Sequence, residues 1–201
     1  MDRMLEALTG SGLAAAAGLN AYIPLVAVGL LARYTDWIEL PAEWQWLQSG
    51  WALIILTVLL VVELVADKVP VVDHINDVLG TVVRPAAGGL AFGATSDAST
   101  VAISDPSTGE PTWIPLLAGA VIALIVHGLK VGVRALANMA TVGTAAPVLS
   151  TGEDVTSVAM TLVAIVLPVL VLLGFVGMLL TVWWFWRRRA KRKAQSVAAT
   201  P

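Results

Sequence analysis

The stretch "WALIILTVLLVVELVADKVPVVDHIND", residues 51–77, decides how the chain is read. From Trp51 to Val62 it is uncharged and almost wholly apolar; Glu63, Asp67, Asp73 and Asp77 then follow at and beyond the end of that run. About 20 apolar residues cross a bilayer, and shorter runs manage with snorkelling flanks, so Trp51–Ala66 reads as a membrane-crossing helix. Glu63 and Asp67 are four residues apart, as are Asp73 and Asp77, so each pair shares a helix face. Pro70 separates the pairs and bends the chain between them.

The rest of the chain is of the same kind. It has 201 residues, 58% hydrophobic and 13% charged, with a mean hydropathy of +0.84. A soluble domain is about half apolar and about a quarter charged, so this composition indicates an integral membrane protein. The net charge of −2 says little, because its distribution matters more than its sum. The absence of cysteine excludes disulfides, thiolate metal sites, iron–sulfur clusters and cysteine nucleophiles. His74 and His127, the two histidines, are too few for a histidine-rich zinc site and argue against haem ligation. No cofactor is expected.

Outward from the opening stretch, six segments read as spans: Leu13–Ala32, Trp51–Ala66, Val78–Ala94, Trp113–Val126, Ala135–Leu149 and Val155–Trp186. Val78–Ala94, which holds Arg84, and Ala135–Leu149, which is mostly small residues, read either as full crossings or as re-entrant segments. The N-terminal apolar stretch continues through Asn20 and Pro24, so it reads as a span rather than a cleaved leader. Cytoplasmic flanks are rich in Lys and Arg. The tail "RRRAKRK" after Trp186 is therefore placed inside, as are the loops marked by Lys68 and by Lys130 with Arg134. The acidic stretches 34–50, 95–112 and "STGEDVTS" are placed outside. Tryptophans 37, 44, 46, 51 and 113 then fall at the outer boundary and 183, 184 and 186 at the inner one, as interfacial belts require.

The expected fold is all-α: a polytopic transmembrane helix bundle of about six spans, some re-entrant or broken at proline. Residues 1–186 form one domain and 187–201 a basic cytoplasmic tail. Both termini are expected to be cytoplasmic, in a plasma membrane. Pro24, Pro85 and Pro147 recur 61 and 62 residues apart, and Trp51 and Trp113 lie 62 apart, which suggests three repeated hairpins. Proline removes a backbone hydrogen bond and kinks a helix, so these helices are expected inside the bundle, where the freed carbonyl finds a partner. Their small residues allow close approach. The Leu- and Val-rich helices form the lipid-facing shell.

Charge at bilayer depth costs about 2.5–3.5 kcal/mol on insertion scales and faces a partner or a cavity. That singles out Asn20, Tyr22, Glu63, Arg84, His127 and Asn138 as a ligand or transport path. Glu63 and Arg84 can pair, either as a structural ion pair or within a substrate path. The acidic loop of Asp67, Lys68, Asp73 and Asp77 reads as a solvated turn, a proton relay or a site for a hard divalent cation. Asn20 and Tyr22 flank a turn that would expose backbone to a small ligand, or make an interhelical hydrogen bond. Glu153 and Asp154 read as the first turn of a helix capped by Ser150 or Thr151.

"GLNAYIPL", "VELVADKVPVVDHIND" and "APVLSTGEDV" together resemble the bacterial membrane-protein family catalogued as domain of unknown function 4126. The likeness runs from about Gly10 to the basic tail, and the "DKVPVVD" core carries most of it. It implies a small multi-pass bacterial membrane protein and supplies no reaction or ligand. It adds weight to Asn20, Glu63, Asp67, Lys68, Pro70, Asp73, Glu153 and Asp154.

The expected function is a small transporter or channel for an ion or small solute. The alternatives are a metal-dependent membrane enzyme acting on a lipid head group, and a scaffold or assembly subunit. The expected partners are the lipid bilayer, an ion or small solute, and further copies of the chain, with no nucleic acid. The Asp-Gly-x-x-Ala-Arg element of phosphatidyl-alcohol transferases is missing, which lowers the enzyme reading.

Overall fold

A computed structural model of the chain describes residues 2–95, 113–141 and 146–171, and beyond these residues 173, 174, 176, 177, 180, 181 and 187. Helix α1 is Asp2–Leu19 and α2 is Tyr22–Tyr34. A 3₁₀ helix, Ala42–Gln48, leads to α3, Gly50–Ala66. Helix α4 is Pro70–Thr95, α5 is Trp113–Thr141 and α6 is Ala146–Val166.

Local chemistry sets the boundaries. Ser49 caps α3, its hydroxyl accepting the Ala52 N–H at 3.4 Å. Pro70 opens α4, where a missing N–H costs nothing. At the α1–α2 break, Asn20 Oδ1 accepts the N–H groups of Tyr22 and Ile23, each at 3.2 Å. The chain turns back there. Trp37, Ile38 and Leu40, just after α2, line one cleft with Leu5, Glu6 and Thr9 of α1.

Helix α1 packs against α4, α5 and α6, and α4 lies along α5. The α1 alanines 14–17 are buried. The core groups Leu13, Ala17, Val28, Trp44, Leu47 and Ala91. The outer surface is apolar: Ile54, Val58, Val62 and Val65 of α3, Val78 and Val82 of α4, Leu117 and Leu136 of α5, and Val155 and Leu162 of α6 are exposed. Large apolar residues outside and charges inside suit lipid rather than water. Among the described residues two helices are long and apolar enough to cross a membrane, Trp113–Ala137 within α5 and Ala146–Val166. A third is the 3₁₀ helix with α3, if that pair, bent by 61°, counts as one span.

Several expected segments take other forms. Leu13–Ala32 is not one helix but two, broken at Asn20–Ala21. Ala135–Leu149 is not one span: its start belongs to α5 and its end to α6. Helix α6 begins at Ala146, so Glu153 and Asp154 sit inside it rather than in its first turn, and Ser150 is no N-cap. Val155–Trp186 is interrupted at Leu167, before Pro168, whose missing N–H breaks the ladder. Ala164 and Val171 would stand about 10 Å apart on a continuous helix, yet a β-carbon on Gly12 would meet them at 2.6 and 2.8 Å. The chain therefore bends after α6. The three prolines occupy unlike positions. Pro24 and Pro147 lie in the first turns of α2 and α6, and only Pro85 is in a helix interior. Pro147 is exposed, contrary to the expectation that it faces the bundle interior. Tryptophans 183, 184 and 186 and residues 188–201 of the tail lie outside the described residues.

Candidate functional site

The acids of the opening stretch meet the cations of α4 and α5 in one buried network. Glu63 lies one turn before the end of α3 and faces inward. Its Oε1 accepts from Arg84 Nη2 at 3.0 Å and Nε at 3.3 Å, and its Oε2 accepts the Ala21 N–H at 3.1 Å. Asp67, just past α3, accepts from Asn76 Nδ2 at 2.6 Å, Lys130 Nζ at 3.1 Å and Arg134 Nη2 at 3.3 Å. Glu153 of α6 accepts from Arg134 Nε at 2.8 Å and from Arg134 Nη2, and lies 3.2 Å from Lys130 Nζ. Asp77 is held more loosely, 3.6 Å from both Arg84 Nη1 and Arg134 Nη1. Arg84 is wholly buried; Lys130 and Arg134 nearly so.

The network closes on the α1–α2 break. Lys130 Nζ donates to the Leu19 carbonyl at 2.9 Å, and the Glu63 carboxylate takes the first free N–H before α2. A cation thus sits at a helix C-terminus and an anion at a helix N-terminus, each matching the helix dipole. Asn20 Nδ2 donates to Asp154 Oδ1 at 3.0 Å, and Lys68 Nζ stands 3.5 Å from Asp154 Oδ2 at the rim.

His127 is fixed in one tautomer. Arg84 Nη1 lies 2.8 Å from His127 Nδ1. A guanidinium only donates, so Nδ1 accepts and Nε2 carries the proton. That proton is donated to the Asp77 carbonyl, 3.1 Å away. A second proton on the ring would point at Arg84, so His127 is neutral in this arrangement.

Asp67 lies outside the spans. Burial alone would raise its carboxyl; Lys130, the Asn76 amide, Arg134 and Arg84 outweigh burial and hold it below the ordinary range. A carboxyl lowered on folding stabilises the folded state above the unfolded value, about 3.9. That contribution is lost as pH falls through the lower folded value. The stability gap between wild type and Asp67→Asn, read by thermal melts in detergent, should be flat from about pH 7 to 5 and narrow below about pH 4. A gap that narrows near pH 6 would contradict this account.

Of the residues named from sequence, the structure brings together Asn20, Glu63, Asp67, Lys68, Asp77, Arg84, His127, Glu153 and Asp154. Tyr22 contributes its backbone N–H. The side chains of Asp73 and Asn138 lie outside the described residues. The stretch "STGEDVTS", expected outside, is at the same end of the bundle as Lys68, expected inside, because Lys68 and Asp154 touch. Lys130 and Arg134 were read only as loop charge. Their spacing was the missed signal: 127, 130 and 134 fall on one helix face. A cavity of about 860 Å³ opens between α1, α5 and α6, with Leu129, Val133, Ala159 and Met160 on its walls and Lys130 and Glu153 at its polar end.

The model of the family described as Domain of unknown function (DUF4126) matches residues 7–188, so the chain belongs to that family. No curated protein and no solved structure matches it.

Proposed function

We propose that this member of the DUF4126 family is a small multi-pass membrane carrier for an ion or small solute. Its site is the charge network at the α1–α2 break. The observation that carries this reading is the arrangement around that break: Asn20, Glu63 and Lys130 satisfy the backbone ends of two short helices within a buried cluster. Broken helices with polar ends meeting at a buried site are how carriers bind small ligands. Buried ionisable groups at membrane depth mark ion or substrate paths. The apolar cavity ending at Lys130 and Glu153 offers an approach. The network end lies on the cytoplasmic side of the plasma membrane in this reading, as Lys68 indicates.

A divalent-metal enzyme fits less well. The oxygens of Asp67 face Lys130 and Arg134, and those of Asp77 face Arg84 and Arg134. A metal ion would have to displace those cations.

Proteoliposome flux tests the carrier. Glu63→Gln removes one charge-assisted contact to Arg84, about 1.5–3 kcal/mol, and Asn20→Ala removes the α2 cap. Each should slow flux of the transported solute by about tenfold or more. Wild type indistinguishable from both variants across ions and small solutes would reject the carrier and favour a scaffold.

A further inference from the structure

We infer that Asp77 is a proton-binding site: the network holds one exchangeable proton on the Asp77 carboxyl. This deepens the carrier reading by naming the proton as an ion the site takes up and releases, and it rests on that reading only for the proton's role in transport.

Charge balance gives the first reason. Among the described residues of the buried network four carboxylates, Glu63, Asp67, Asp77 and Glu153, face three cations, Arg84, Lys130 and Arg134. His127 is neutral by its hydrogen bonds, and Asp154 has Lys68. Among these residues one negative charge is left over. A buried charge without compensation is neutralised in practice, most simply by a proton.

Hydrogen bonding identifies the acceptor. Glu63 accepts three N–H bonds, from Arg84 twice and from Ala21. Asp67 accepts from Asn76, Lys130 and Arg134. Glu153 is gripped by Arg134 through two nitrogens. Donors of this kind favour the ionised carboxylate. Asp77 is 9% exposed, and its Oδ1 has no hydrogen-bond partner among the described residues. Among the described residues the groups facing it are Arg84 on its own helix, His127, Lys130 and Arg134 on α5, Asp67 beyond α3 and Glu153 on α6.

The same surroundings select the proton over a metal cation. A metal ion needs several oxygens converging on it, and no group of three or more acids and histidines among the described residues could hold one. A proton needs one lone pair. On uptake an O–H bond forms at Asp77 and the carboxylate charge is cancelled; on release the proton returns to water. An ionised Asp77 draws Arg84 and Arg134 toward itself and away from Glu63 and Glu153. Proton loss thereby loosens the Glu63–Ala21 clamp at the helix break.

Infrared spectroscopy of the purified chain in phosphatidylcholine vesicles reads this directly. At neutral pH the wild type should show a protonated-carboxyl C=O band that shifts with ¹³C-carboxyl aspartate and not with ¹³C-carboxyl glutamate. Asp77→Asn should abolish the band, and Asp154→Asn should leave it. No band at neutral pH, a band that follows glutamate labelling, or a band that survives Asp77→Asn would overturn the proposal. The labelling result needs no variant, so a misfolded Asp77→Asn does not remove the test. Flux lost in Glu63→Gln without an aspartate band rejects the proton site and leaves the carrier. The band without flux of any solute does the reverse.

Discussion

Arg84→Met is expected to destabilise the protein by about 3–5 kcal/mol, the cost of breaking a buried ion pair from one side. Arg84 is wholly buried and reaches three of the network's carboxylates and His127. It donates twice to Glu63, stands 3.7 Å from Asp67 and 3.6 Å from Asp77, and donates to His127. Methionine fills much of the same space and replaces none of these donors. Glu63 then keeps only the Ala21 N–H, and the cluster loses one of three cations while holding four carboxylates. For a chain of this length the loss corresponds to about 6–20 °C in Tm. Melts of purified protein in mild detergent measure it. The double variant Glu63→Leu/Arg84→Met removes both charges of the closest pair. It should be more stable than Arg84→Met alone, because replacing a whole buried pair by apolar groups is often neutral. That sign of coupling shows the cost to be an orphaned carboxylate rather than lost packing. A shift of less than about 1 kcal/mol in Arg84→Met would remove the network from any account of how the bundle holds together.

The α3 helix and its acidic end are legible in sequence because the uncharged run Trp51–Val62, followed by Glu63 and Asp67, has one sensible reading. Glu63 and Arg84 stood out because each is a lone charge in an apolar segment. The turn at Asn20–Tyr22 is legible within the first span, but not that it divides Leu13–Ala32 into two helices. Length misled there: Leu13–Ala32 is long enough to cross a bilayer, and only contacts distant in sequence, with Glu63, Lys130 and Asp154, hold the turn open. The same blindness hid the level of Glu153. The positive-inside rule reads loops, and "STGEDV" has acids and no base, so it was placed outside. In the structure both acids belong to a helix interior: Glu153 meets Arg134 and Lys130 from another helix, and Asp154 meets Asn20 and Lys68. Local pattern cannot report a charge whose partner is about 20 or more residues away. The helical spacing of His127, Lys130 and Arg134 could have, had it been weighed as a face rather than as flank charge.

Gly88→Val should disrupt the network without touching any of its charges. Helices α4 and α5 approach closely at Gly88 and Gly119. A β-carbon on Gly88 would meet the Ala123 β-carbon, the Gly119 carbonyl at 2.8 Å and the α1 Ala14 carbonyl at 3.4 Å. Two of these obstacles are backbone, which cannot swing aside. Valine adds two further methyl groups, so the helices must separate. Arg84 lies one turn before Gly88 on α4, and His127 one turn after Ala123 on α5, so the wedge sits directly beside their 2.8 Å contact. Overpacking of this kind costs about 1–3 kcal/mol, occasionally more. Here the added loss of a buried hydrogen bond, about 1–3 kcal/mol, falls on top. Gly128 and Gly132 of α5 are the controls, since a β-carbon there meets nothing within 4 Å. Alanine at either should stabilise by about 0.5–1 kcal/mol through reduced backbone entropy in the unfolded chain. Melts should therefore move in opposite directions for Gly88→Val and Gly128→Ala. Nitrogen NMR of the His127 ring supplies the structural readout. The Nε2–H tautomer should be retained in Gly128→Ala and lost or mixed in Gly88→Val. Equal melts for both substitutions, with the ring signal unchanged, would mean that α4 and α5 are not in contact at Gly88, and the geometry that joins Arg84 to His127 would fall with it.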